Sequence, residues 1–565
     1  MRKSLQFIVT AVFLFVQQPF LTAASRAPVR AHHGIVVSDD PIAARTGMEI
    51  LQRGGNAIDA AVAVAFTMAV TYPEAGNIGG GGFMVVRLAN GTTETIDFRE
   101  KAPAAATQNM YLDEHGNFLP EKSTYGHLST GVPGSVAGLL LALEKFGTMK
   151  RADLLQPAVT FAENGFPLTY EMAEKFKRVV PEFSKFPASM KQFTKNGVPY
   201  GEGDLFKQPD LAATLRRIQE YGHDGFYSGK TADMIAAEMK RGGGLISKED
   251  LLSYEPVMRE PVRGTYRGYE IISMGPSSSG GTALIQILNI LEGYDVQSLG
   301  WNSAREVHLL AETMRRVFAD RAEFLGDADF VKVPLPWLLS KKYADERRAT
   351  IDSLRATPSS AISHGIPPAH ESDQTTHFSI VDKDGNCVSV TTTLNGLFGS
   401  KVVVDGAGFL LNNEMDDFSA KPGAPNMDGL VGSTANAIVP EKRMLSSMSP
   451  TIVLKEGKPF MVLGARGSSR IITSVAQVII NVVDFHMNIQ EAVDAPRIHQ
   501  QWLPDKIFSE ERGLSPDTVE KLKAMGYDVD THSYSAIVNA VLINVQDGFL
   551  FGAPDARGSG EAAGY

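Results

Sequence analysis

Residues Thr375 to Asn395 read TTHFSIVDKDGNCVSVTTTLN, two alternating runs on either side of Asp384-Gly385-Asn386. Alternation of this kind fits strands with one buried face, and a short Gly-containing break between them fits an antiparallel hairpin. The apolar positions are Phe378 and Ile380 in the first run and Val388, Val390 and Leu394 in the second, all even-numbered. Side chains alternate along a strand, so paired positions share a face only if they sum to an even number. A three-residue loop at 384–386 meets that condition and sets Lys383 opposite Cys387. Thr375, His377, Ser379, Thr391, Thr393 and Asn395 then share the other face, with Thr375 opposite Asn395 and diagonal to Thr393. Such a hydroxyl-rich face is either the solvent side of a half-covered sheet or a site.

The remaining pattern surrounds this hairpin with helices. Asp40-Pro41 reads as an N-cap followed by Pro at the first helical position, and that helix runs to Gly54-Gly55. Asn56 caps a second helix, AIDAAVAVAFTMAV, whose small apolar residues suit burial. Phe83 to Leu88 and Thr92 to Phe98 read as strands around Asn90-Gly91. From about Gly131 to Thr350 the periodicity is mostly helical, broken by GPSSSGG at Gly275 to Gly281. Thr357 to Gln374 contains three prolines and no periodicity, as an exposed loop or linker would. Strand patterns return at Thr375 to Val381, Cys387 to Leu394 and Ser449 to Leu454. Ile471 to Phe485 reads as a buried helix, and Ser515-Pro516 caps a last one that Gly526 stops. Strand pairs flanked by helices imply an α+β fold of stacked layers, not a βαβ series.

Several function classes are excluded early. The net charge is −10 with Lys and Arg dispersed, so there is no basic footprint for nucleic acid. Gly79 to Gly82 lacks the spacing of a phosphate-binding loop. His370 and His377 lack metal-ligand spacing and cysteine partners, and no metal or cofactor is expected. Arg2 and Lys3, the apolar run Leu5 to Val16 and the small residues Thr22-Ala23-Ala24 form a secretory signal, placed at residues 1–24. No later segment is long and apolar enough to span a membrane. Cys387 is the only cysteine, so an exported chain of this kind suits a bacterial periplasm or the medium.

Thr375 has a further property. If the chain were cut before it, one residue would carry both a hydroxyl and a free α-amine. An α-amine titrates near neutrality and can take the hydroxyl proton, which turns a weak nucleophile into an active one. The linker before it is where a cut is tolerated.

QTTHFSIVDKDGN, LLNNEMDDFSAKPG, RMLSSMSPTIV and the terminal DARGSGEAAGY occur in one order. With them the chain resembles the gamma-glutamyltransferase (gamma-glutamyltranspeptidase) family of N-terminal-nucleophile hydrolases, from about His33 to Tyr565. The resemblance implies a four-layer αββα sandwich of two mainly antiparallel sheets. It also implies autocatalytic cleavage between Gln374 and Thr375, giving a large subunit, 25–374, and a small subunit, 375–565. The new N-terminal Thr375 would attack the γ-amide of glutathione or another γ-glutamyl compound, and water or an amino acid or dipeptide amine would release the acyl group.

By the same resemblance Arg99 takes the glutamyl α-carboxylate with Ser446 and Ser447, and Asp417, Glu414 and Asn395 accept from the α-ammonium. Thr393 hydrogen-bonds the nucleophile, and backbone N–H groups of Gly467 and Ser468 supply the oxyanion hole. Read without it, Arg99 is a surface ion pair with Glu100 or Asp97, Asp416-Asp417 a solvated loop or a Ca²⁺ site, and Ser446-Ser447 a turn. Two positions depart from the family: Ser468 stands where a second glycine is usual, and Asp428, in the Lys421 to Asn436 stretch expected to cover the pocket, where an aromatic is frequent. Positive φ at Ser468 would be strained. The acidic cover would be a weaker gate that favours water. Two rival functions remain, a β-lactam (glutaryl or cephalosporin) acylase of the same fold and a non-cleaving binding protein.

Overall fold

The computed structural model describes residues 25–363, 375–421 and 423–565. The expected signal at 1–24 lies outside the described residues, as do Gln374, His370 and most of the proline-containing linker.

Among the described residues, two seven-stranded antiparallel sheets are stacked face to face. The first runs Glu561–Gly564, Ile35–Ser38, Thr376–Val381, Cys387–Thr393, Gly81–Arg87, Thr93–Asp97, Val257–Arg259. The second runs Val29–Ala31, Leu550–Pro554, Ile537–Ile543, Lys458–Arg466, Thr451–Lys455, Tyr269–Ser273, Val262–Tyr266. In both sheets, strands from before residue 364 sit beside strands from after residue 374. The outer face of the first sheet, with Phe378, Ile380, Val388 and Val390, packs on helices that include Pro41–Gln52 and Ala57–Thr71. That of the second packs on Gly280–Leu291, Ala304–Phe324 and Arg470–Val483. The four-layer αββα order is therefore observed.

Local chemistry explains these elements. The Asp40 carboxylate accepts from Ile42 N–H and Ala43 N–H, with Pro41 opening the helix. Asn56 and Asp59 form a reciprocal capping box on the next helix, which is buried along its whole length. The Arg470–Val483 helix is buried as its apolar run implied. The Gly131 to Thr350 region departs from expectation: besides helices it contains the Val257–Arg259, Val262–Tyr266 and Tyr269–Ser273 strands. These are short and carry Arg, Gly and Glu within them, which blurs their alternation. The start of the linker is also not simply exposed. Ser359 is buried, its hydroxyl donating to Trp502 O over 2.5 Å and its N–H to Asp505 over 2.7 Å.

The central hairpin has the expected parity but a different register. Thr376 pairs with Thr392 and Val381 with Cys387, two residues from the register that sets Lys383 opposite Cys387. The loop is still three residues long, but it is 383–385, closed by Asp382 N–H to Asn386 O at 3.1 Å. Two features fix it there. Gly385 has φ 87°, and the Asp382 carboxylate accepts from Asp384 N–H at 3.0 Å and Asn386 N–H at 2.9 Å. Because the shift is by two, every side chain keeps its face. Continuing the register sets Thr375 across from Thr393, not Asn395.

The hydroxyl-rich face does not meet solvent. Thr375, His377, Ser379, Ser389, Thr391 and Thr393 are all buried, turned toward the second sheet. The layer between the sheets has an apolar end, with Ile35, Val37, Val85, Ile272, Ile452 and Val541, and a polar end. At the polar end Ser379 Oγ donates to Asn539 O (3.2 Å) and Ser389 Oγ to Leu463 O (3.0 Å), tying one sheet to the other. His377 shares hydrogen bonds with Thr391 (2.9 Å) and Ser379 (3.0 Å), and burial pushes its pKa down to about 3, so it is neutral.

Candidate active site

Thr375 immediately precedes the Thr376–Val381 strand at the polar end of this layer and lines a cavity with Arg99, Arg321, Thr393, Asn395, Glu414, Asp417, Asp428, Ser446, Ser447 and Ser468. Of the residues singled out from sequence, Arg99, Thr375, Thr393, Asn395, Glu414, Asp417, Ser446, Ser447 and Ser468 meet here. Gly467 adjoins Ser468, and Gln374 lies outside the described residues.

Arg99 is not a surface residue. It is 1 % exposed, and its guanidinium is ion-paired with Glu414 at 2.6 Å and with Asp417, with Glu100 at 3.7 Å. Its Nε–H donates to Met444 O over 3.3 Å. Burial disfavours the Arg99 charge, but Glu414, Asp417 and Glu100 more than offset this and hold it protonated. Burial likewise raises Glu414 well above the usual carboxylate range, against the pull of Arg99 and a hydrogen bond from Thr393. Asp417 is raised for the same reason, with Arg99 opposing. The Asp416-Asp417 pair is thus divided. Asp416 is buried, bonded to Ser123 at 2.5 Å and Met427 N–H at 2.8 Å, while Asp417 reaches the cavity. It is neither a solvated loop nor, among the described residues, part of a metal-ligating cluster.

The stretch expected to cover the cavity contributes Asn426, Asp428, Leu430, Val431, Gly432 and Asn436 to its lining. It is anchored on the acidic pair, through Met427 N–H to Asp416 and Asn426 Nδ2 to Asp417 at 3.1 Å. Asp428 is 6 % exposed. With Arg99 bridging Glu414 and Asp417, the cavity has a free volume of ≈ 30 Å³, enough for about two waters at roughly 10–15 Å³ each.

Gly467 and Ser468 form the turn into the Arg470–Val483 helix, with Arg470 N–H donating to Gly467 O and Ile471 N–H to Ser468 O, both at 3.1 Å. Gly467 has φ 129°, and a Cβ there would lie 2.8 Å from Ala536 Cα, so only glycine fits. Ser468 has φ 51°, the left-handed value anticipated as strained. Its N–H remains available in kind to an oxyanion.

Sequence reasoning missed Arg321. It lies in the Ala304–Phe324 helix, 4 % exposed, donating from Nε to Ser279 Oγ (2.9 Å) and from Nη2 to Ser447 Oγ (3.1 Å). The available signal was its spacing, since Met314, Val317, Phe318 and Arg321 fall on one buried helical stripe.

Comparisons with known proteins agree with this geometry. A family profile described as gamma-glutamyltranspeptidase matches residues 43–565. The glutathione hydrolase proenzyme of Escherichia coli K12 is 50% identical over 543 residues, covering 95% of this chain and 93% of its own length. Cephalosporin acylase from Bacillus halodurans has a similar structure, with TM-score 0.86 at 28% identity over 98% of this chain and 99% of that one. A chain of Helicobacter pylori gamma-glutamyltranspeptidase aligns over 99% of itself with 62% of this chain, at 48% identity and TM-score 0.58. An interleaved αββα sandwich, a threonine at the head of a central strand and a profile match over nearly the whole length lead to one conclusion: the chain belongs to the gamma-glutamyltranspeptidase family.

Proposed function

We propose that this protein is a self-processing glutathione hydrolase and γ-glutamyltransferase. The Thr375 hydroxyl attacks the Gln374 carbonyl, and hydrolysis of the resulting ester frees the Thr375 α-amine. Residues 25–374 and 375–565 become the two subunits. The length of the aligned Helicobacter pylori chain supports this division, since 62% of this chain is the share that 25–374 would represent. The signal at 1–24 directs export to the periplasm or medium.

In the mature enzyme the α-amine takes the Thr375 proton as Oγ adds to the γ-carbonyl carbon of the donor. The oxyanion is held by the Gly467 and Ser468 N–H groups, and the amine proton passes to the leaving nitrogen. A γ-glutamyl ester remains on Thr375. Water resolves it by hydrolysis, and an amino acid or dipeptide amine resolves it by transfer. Thr393 orients the nucleophile.

The observation that carries this reading is the Arg99 ion pair with Glu414 and Asp417. A zwitterionic α-amino acid head can exchange into that pair with charge conserved. Its carboxylate takes Arg99, Ser446 and Ser447, and its ammonium takes Asp417, Glu414 and Asn395. A plain glutaryl chain has no ammonium, and once its own carboxylate took Arg99 the buried acids Glu414 and Asp417 would have no cationic partner in place of that arginine. The acylase alternative is weaker for that reason.

The test is mass spectrometry of purified protein followed by release of γ-glutamyl-p-nitroanilide with and without glycylglycine. Two fragments beginning at Thr375 in the smaller one, anilide release, and acceleration by glycylglycine are expected. Thr375→Ala is expected to remain one polypeptide and to be inactive. An unbroken wild-type chain would favour the binding protein, and preference for a glutaryl anilide would favour the acylase.

A further inference from the structure

We propose that Arg321 is a positioning residue for the donor's α-carboxylate. Its guanidinium occupies the acceptor side of the Ser447 hydroxyl and so turns that hydroxyl's one proton into the cavity. This deepens the γ-glutamyl reading and rests on it.

A serine hydroxyl has one proton to donate and lone pairs to accept with, while a guanidinium can only donate. Arg321 Nη2–H donates to Ser447 Oγ, so the Ser447 proton must point elsewhere. Ser446 is treated alike, its Oγ accepting from Met448 N–H at 3.1 Å. Both serines line the cavity. Two neighbouring hydroxyls whose acceptor sides are taken by protein N–H groups are set to donate to an anion.

Arg321 also fixes where they stand. Its Nε–H donates to Ser279 Oγ, and Ser279 N–H and Oγ–H both donate to the Ser446 carbonyl, at 2.8 and 2.5 Å. Ser446 N–H in turn donates to Ser277 O at 3.0 Å. The Ser446-Ser447 turn is thereby docked on the Ser277 to Ser279 segment, with one arginine bonded to both pieces.

Charge favours the same role. Among the described residues lining the cavity the cations are Arg99 and Arg321, and Arg99 is engaged with Glu414 and Asp417. Burial pushes Arg321 down to about 10, with Asp417 and Asp428 opposing, so it remains a cation at neutral pH. It is then a second positive charge near an arriving carboxylate, held in an environment of low polarity.

The test compares two competitive inhibitors of anilide release, L-glutamate and 4-aminobutyrate, which is glutamate without its α-carboxylate. Their inhibition constants are measured in wild type, Arg321→Met and Arg321→Lys, with two-fragment maturation as the check of folding. In Arg321→Met the constant for glutamate is expected to rise at least about tenfold, as for loss of a charge-assisted hydrogen bond. That for 4-aminobutyrate is expected to stay within about twofold of wild type. Arg321→Lys should recover part of the glutamate preference. Equal weakening of both inhibitors, or a change in kcat alone, overturns the proposal. Should Arg321→Met fail to mature, the same ratio in Arg321→Lys decides, an unchanged ratio being the overturning result. A wild type that releases no anilide defeats the γ-glutamyl reading itself, which is a separate outcome.

Discussion

At the scale of single residues, Ser468 is where sequence and backbone disagree. A left-handed serine costs roughly 1–2 kcal/mol relative to its relaxed state, whereas glycine takes that conformation freely at an entropic cost of roughly 0.5–1 kcal/mol. Ser468→Gly is therefore expected to stabilise the protein by about 0.5–1 kcal/mol, measured as an upward shift in the denaturant midpoint. An unchanged or lower midpoint would show that the Ser468 side chain contributes enough elsewhere to offset its backbone. Most cavity residues were legible through the resemblance, which rests on short motifs such as NNEMDDF with Glu414 and Asp417; without it that stretch reads as a solvated loop or a Ca²⁺ site. Arg321 was not. In a helix that already carries Arg315 and Arg316, one more arginine resembles a solvated face until tertiary contacts bury it.

At the scale of elements, Asp382 joins two units. Beyond closing the hairpin loop, its Oδ2 accepts from Ala57 N–H at 2.9 Å, at the start of the Ala57–Thr71 helix, and from Asn386 Nδ2 at 2.7 Å. Asp382→Ala removes four hydrogen bonds, leaving the buried Ala57 N–H without this partner, and is expected to cost about 2–4 kcal/mol. Urea denaturation would check it, and a loss under about 1 kcal/mol would contradict it. The same residue explains the register. Parity was readable from the even-numbered apolar set, because it depends only on side-chain alternation. The offset within that parity was not, because it turns on whether Asp382 or Lys383 closes the loop. The three strands between Val257 and Ser273 escaped notice for a related reason: segments of three to five residues, two of them at sheet edges, are defined by their neighbours more than by their own pattern.

At the scale of the whole molecule, alternation and helical periodicity implied stacked α and β layers and the resemblance implied their αββα order, but neither showed the burial of the hydroxyl face. A half-polar strand looks the same whether its polar side meets water or another sheet's polar side. The cost of the second arrangement appears in pH dependence. His377 is held neutral with its pKa near 3, against an ordinary 6.5, because burial penalises its charge. Above pH 6.5 neither folded nor unfolded chain protonates it, so it has no effect. Below that the unfolded chain takes up the proton and the folded one does not until about pH 3, so stability falls with falling pH across that window. The slope from this residue is about 1.4 kcal/mol per pH unit. His377→Gln should flatten the decline in unfolding free energy between about pH 6 and 4 by that amount. Parallel curves for wild type and variant would refute the assignment. Gly464 belongs to the same arrangement, since a Cβ there would lie 2.4 Å from His377 Cε1. Gly464→Ala should cost about 1–3 kcal/mol by overpacking, read from the thermal midpoint.

The alternation of strands from before and after the proposed scission point has one more consequence. A single broken peptide bond there severs the thread without opening a seam in the cloth. Neither length can depart without tearing rows of backbone hydrogen bonds from its neighbour. The nicked molecule should accordingly melt as one body, and its two pieces, once denatured apart, would each be left with half a sheet and no interior of its own.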